Sequence, residues 1–144
     1  MSEHRVRRYT AASLDVPDRQ FQITQATRTH TKLWLQANAV PHLGHPYRLD
    51  IVFHDVQYLS FPFVMRGLAL RRADPEETTR LSALHGLQPD PRTPVTLLSK
   101  DHDWFIVAGT VLWAEADLEY NDPSVFWSST GDDNEKLISV GTLQ

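Results

Sequence analysis

Between residues 47 and 53, apolar and polar positions alternate with a period of two. Tyr47, Leu49, Ile51 and Phe53 fall on one side, and Arg48, Asp50 and Val52 on the other, which is the signature of a half-buried strand. His54 and Asp55 interrupt the run as a turn. Residues 56–61 resume in aromatic and β-branched types, Pro62 blocks ladder donation, and residues 64–70 supply another strand with Gly67 inside it. Two or three adjacent strands are predicted from this spine.

The flanks are less regular. Residues 1–19 mix Arg, Ser, Thr, Asp and Pro17 without periodicity and read as a mobile or edge-lying arm. In residues 20–37, Phe21 is in step with Ile23 and Leu33 with Leu35, predicting two strand segments around a Thr-rich hairpin or exposed edge at 24–31. Residues 38–46 form a loop. A helix near residues 75–85 carries the clearest local signals: Asp74 as N-cap, Pro75 at the first position, Glu77 as reciprocal cap, Leu81 and Leu84 as an apolar stripe, and Gly86 as exit.

Residues 94–100 and 104–113 read as a hairpin about the polar turn Asp101, His102 and Asp103. The second arm is apolar on both faces and belongs inside a covered sheet, with Gly109 marking a bulge or a close approach. Ala114, Ala116, Leu118 and Tyr120 then alternate with Glu115, Asp117 and Glu119, a strand pattern that lines three carboxylates along one exposed face. Val125, Phe126 and Trp127 sit in a turn-rich stretch, where they either anchor the loop to the core or, exposed between acids, form a binding hot spot, and residues 137–144 have the composition of a strand closing a sheet edge. The chain thus reads as one β-dominated α+β domain over residues 1–144, with mostly antiparallel sheet of about six to eight strands and one short helix. Trp34, Ile51, Phe53, Leu68, Leu70, Trp104, Ile106, Val107, Val111 and Leu112 are the predicted core.

Charge changes the picture more than composition does. The net charge of −4 is unevenly spread: residues 1–72 hold ten Lys/Arg against five acids, and residues 73–144 hold four against thirteen. From Glu115 to Glu135 there are seven acids and no base. Internal pairing between the halves is one account of this asymmetry, and an acidic face for a basic partner is the other. The absence of cysteine excludes disulfides, Cys-type metal sites and a thiolate nucleophile, and suits a cytoplasmic protein. No apolar run reaches the roughly 18 residues of a membrane span.

Candidate chemistry is sparse. No nucleophile elbow or phosphate loop is present, and no interleaving of bases with aromatics suggests nucleic acid. His42 and His45 are three apart, and with His54, Asp55, Asp101, His102 or Asp103 they make a metal-assisted enzyme the alternative reading. A small-ligand-binding β domain is a further alternative. The preferred expectation is a non-enzymatic protein-binding module of immunity or accessory type, without cofactor. Its partner would be another protein, of basic character, with no role for membrane or nucleic acid. Its partner-binding residues would be Glu115, Asp117, Glu119, Asp122, Phe126, Trp127, Asp132 and Asp133.

Overall fold

Alternating apolar residues along most of the chain converge on one interior in a computed structural model that describes residues 6–27, 31–124, 126 and 135–144. Among the described residues, the backbone forms β1 (Arg7–Ala11), β2 (Ser13–Ala26), β3 (Leu33–Ala37), β4 (Arg48–Phe53), β5 (Tyr58–Ser60), β6 (Val64–Arg72), α1 (Pro75–His85), β7 (Val95–Leu97), β8 (Phe105–Val107), β9 (Val111–Ala116) and β10 (Leu137–Leu143). The strands make a single ten-stranded sheet in the order β1-β10-β9-β4-β3-β2-β6-β7-β8-β5. Its described pairs are antiparallel except β1 with β10, which is parallel.

The sheet is larger than the six to eight strands expected, and mixed. One reason lies in the supposed arm. Residues 7–11 form an edge strand, but residues 13–16 belong to β2, where they pair with Leu68 to Arg71 of β6 well inside the sheet. Pro17 hid this strand from the pattern. A register shift between Val16 and Gln20 accommodates the proline, and Gly67 stands opposite at φ +82°, where an added Cβ would lie 2.9 Å from the Pro17 carbonyl oxygen. The second reason is that the apolar run 104–113 is split into β8 and β9. The third is that β10 does not close an edge: β1 lies outside it.

The sheet curls onto itself. β8 pairs with β7 and β5, and its continuation β9 pairs with β4 and β10, so the ladder β4-β3-β2-β6-β7-β8 returns to β4 through the chain itself. Gly109 sits at this crossing. It donates to the His54 carbonyl at 2.8 Å, and a Cβ there would meet Arg92 O, Asp55 Oδ2 and His54 O at 3.2–3.3 Å, the close approach its isolated position predicts. Inward residues from β2, β3, β4, β6, β8, β9 and β10 share one core, among them Phe21, Leu35, Ile51, Phe53, Leu70, Ile106 and Trp113.

Most of the predicted core is buried, with corrections. Trp104 and Leu112 are only half-buried, and Val107 packs outside the main interior with Leu81, Val95, Leu97 and Phe105 under the helix. Trp34 is buried on the outer side of the sheet rather than the inner, as its place opposite Val52 requires.

Helix α1 follows its local signals to the residue. The Asp74 carboxylate accepts from Glu77 N–H at 2.7 Å, Glu77 accepts from Asp74 N–H at 3.0 Å, and Gly86 exits at φ +66°. Leu81 docks the helix, whereas Leu84 is 66 % exposed, so the apolar stripe is a single residue wide. Arg71 adds a bidentate bond to Glu77, both contacts at 2.7 Å, and with the cap holds that carboxyl down at about 2. The folded pKa is depressed, so this contribution is present above the ordinary value near 4.5 and is lost as pH falls toward about 2. Glu77→Gln should cost about 0.5–1 kcal/mol at pH 7, with the difference from wild type vanishing in urea titrations near pH 2.

Candidate functional site

The outer faces of β3, β4 and β9 carry a polar cluster that alternation alone assigns to a strand's half-exposed side. Gln36 stands opposite Asp50, Asp50 opposite Ala114, and Arg48 opposite Ala116, so these side chains leave the sheet together. Arg48 is 1 % exposed, Asp50 and Gln36 2 % each. A buried guanidinium needs its donors met, and Arg48 meets those of both Nη atoms, whereas its Nε, like Asp50 Oδ1 and Gln36 Oε1, has no partner among the described residues. Arg48 Nη2 donates to Asp50 Oδ2 at 2.8 Å and to the Pro123 carbonyl at 3.3 Å, while Nη1 donates to the carbonyls of Asp122, at 2.8 Å, and Glu119. The cation also lies 5.6 Å from the Trp34 ring centroid.

This clamp covers the cluster with the chain that follows β9. Gln36 Nε2 donates to the Tyr120 carbonyl at 2.9 Å, and the Asp122 carboxylate accepts from Glu119 N–H at 2.9 Å, closing the turn on itself. Ser124 is fully buried, and Phe126 packs against Ala114, Ala116 and Leu137. Burial pushes the Asp50 carboxyl above its ordinary range, against the opposing pull of Arg48 and of the neighbouring Trp34 and Ser124 side chains. The folded chain therefore takes up that proton at a higher pH than the unfolded chain, and acidification favours the fold through this group.

The expected single carboxylate face divides into three parts. β9 ends at Ala116, and Leu118 N–H turns back onto the Ala116 carbonyl, so Asp117 and Glu119 do not continue the strand alternation. Both are exposed on the clamped loop beside Tyr120, itself 71 % exposed. Asp122 is half-buried and used within the turn. Glu115 follows Trp113 to the opposite face of β9, where it lines a cleft at the end of the curled sheet. Trp127, Asp132 and Asp133 lie outside the described residues, as does Val125.

That cleft, about 340 Å³, is walled by Tyr9, Leu14, Tyr47, Leu49 and Trp113, with Arg19 and His45 also facing it. Trp113 donates its indole N–H to the Tyr9 hydroxyl at 2.8 Å, and its ring covers Gly141 so closely that an added Cβ would stand 2.1 Å from Nε1. Arg19 is 5 % exposed and donates through Nη2 to the carbonyls of Ala37, Asn38 and Tyr47 at 3.1, 3.0 and 2.8 Å. Burial lowers its pKa, opposed first by the charge of Glu115. His45 pairs with Asp18 at 2.8 Å, a hydrogen bond that holds the Asp18 carboxyl below its usual range.

The histidines and aspartates of the alternative metal reading are not brought together. Asp103 pairs with Arg80 at 3.1 Å, His102 stacks on Trp104 at 4.4 Å between ring centroids, and His45 is taken by Asp18. Among the described residues no group of three or more His, Asp or Glu side chains is placed to hold a metal, and no helix is long and apolar enough to cross a membrane. Comparison with protein-family models, with curated proteins and with solved structures found no significant match to this chain.

Proposed function

We propose that the chain is a non-enzymatic protein-binding module, of accessory or immunity type, whose docking site for a basic partner is the clamped loop at residues 117–122. The observation that carries this reading is the division of labour in that loop. Its backbone carbonyls at Glu119, Tyr120 and Asp122 are tied to the buried Arg48 and Gln36, while Asp117, Glu119 and Tyr120 project into solvent. A loop fixed before binding loses little conformational freedom on association, so more of its contact energy appears as affinity. A projecting tyrosine between carboxylates suits an interface hot spot with a charged surround, and the carboxylates would steer a basic partner.

Binding should weaken as salt rises from about 50 to 500 mM, because the screening length falls below the range of the loop charges. Asp117→Asn with Glu119→Gln should reduce capture of the partner from cells of the source organism, and Tyr120→Ser should reduce it further. Among the described residues these three side chains are exposed and make no hydrogen bond or ion pair, so thermal stability should be unchanged in each variant. A captured partner whose binding responds neither to salt nor to these substitutions would refute the assignment.

A further inference from the structure

We propose that the cleft between β1, β2, β4 and β9 binds a small zwitterion, an α-amino acid or a compound with the same ammonium and carboxylate pair, through Arg19 and Glu115. The cleft lies at the lower end of the size range of small-molecule sites, roughly 300–1,000 Å³. Two of its charged groups, Arg19 and Glu115, are incompletely satisfied by the described residues. Arg19 is 5 % exposed, its protein hydrogen bonds all leave through Nη2, and buried Nε has no partner among the described residues. Glu115 is half-buried and makes neither an ion pair nor a hydrogen bond to the described residues, acting on Arg19 only through space.

A cation and an anion facing one cleft without touching are complemented by a ligand carrying the opposite pair: its carboxylate toward the guanidinium, its ammonium toward Glu115. Apart from the tyrosines, the other titratable groups of the cleft wall are His45, engaged by Asp18, and Asp15 at the rim, paired with Lys100. Arg19 and Glu115 are thus the charges left for a guest. The remaining wall is apolar and aromatic, and would take the side chain of such a molecule. Tyr9 and Trp113 are held edge to face at 6.1 Å by their own hydrogen bond, so that wall exists before a ligand arrives.

The site is separate from the loop at 117–122 and stands or falls independently of it. The test is a titration of the intact chain with L-leucine and L-tryptophan, following the indole N–H resonance of Trp113 and the heat of binding. The matching amines and carboxylic acids, which each keep one charge, serve as comparators. A saturable shift with the amino acids is expected, at least roughly tenfold tighter than with either single-charge analogue, and weakened roughly tenfold by Glu115→Gln. Leu14→Trp, which fills the cleft, should abolish it. Should that variant fail to fold, Glu115→Gln carries the decision alone. No saturable response up to about 10 mM, equal binding of amine and zwitterion, or wild-type affinity in Glu115→Gln would each overturn the proposal.

Discussion

Arg48→Met is expected to destabilise the fold by about 3–5 kcal/mol, the range for breaking a buried ion pair from one side. The substitution preserves most of the side chain's length and apolar volume, so the loss is electrical rather than steric. It leaves Asp50 buried with its principal counter-charge gone, and leaves the carbonyls of Glu119, Asp122 and Pro123 without their donor. Removing both charges in Arg48→Met with Asp50→Leu should restore much of the loss, because a buried pair exchanged for apolar groups of similar volume is often neutral. In both variants, backbone amides at 118–124 should exchange with solvent faster than in wild type, since the loop is held from Arg48. Denaturant midpoints give the energies and hydrogen exchange gives the loop. A loss below about 1 kcal/mol in the single variant would mean that the clamp is not formed.

Ile106→Ala is expected to cost about 2–5 kcal/mol. Ile106 is fully buried at the centre of β8, flanked by Leu59 on β5 and Thr96 on β7, and its side chain joins the main interior while Phe105 and Val107 face the helix. Strands on both sides fix its backbone, so the interior has little freedom to collapse into the space left. The upper part of the range follows. A urea titration with an unchanged slope and a shifted midpoint would register this as lost stability rather than altered compactness. A shift equivalent to under about 1 kcal/mol would place Ile106 at a yielding site, contrary to the enclosed interior described above.

What was legible in the sequence was what local physics decides. Helix α1 needs only the backbone groups at its own ends, and Asp74, Pro75, Glu77 and Gly86 supply or terminate them without reference to the rest of the chain. The alternation from Leu49 to Phe53 likewise marks which side chains face inward. The partner side of the same strand was not legible: Arg48 and Asp50 look like solvent-facing positions until residues 119–123, some 70 positions later in the chain, cover them. The same long-range cover accounts for part of the charge asymmetry, because a base from the positive half holds the backbone of the acidic half.

The N-terminal strands were missed for a related reason. β1 pairs with β10 at the far end of the chain, and β2 carries Pro17 at a register shift whose counterpart, Gly67, lies fifty positions away. Arg19 was therefore counted as part of an arm although it is buried against three carbonyls. For Glu115, the misleading step was extending β9 beyond Ala116. Within the strand, its parity with Trp113 already directs it away from the loop and into the cleft.

The clamped loop at 117–122 is the surface proposed to meet the partner. The most direct test is a photo-crosslinking amino acid at position 120, with position 84 as control, since Leu84 is similarly exposed but lies on α1. Expressed in cells of the source organism, the chain labelled at 120 should give a discrete adduct with a basic protein, diminished by Asp117→Asn with Glu119→Gln, and the chain labelled at 84 should not. An adduct at 84 but not at 120, or adducts at 120 insensitive to the loop charges, would contradict the account.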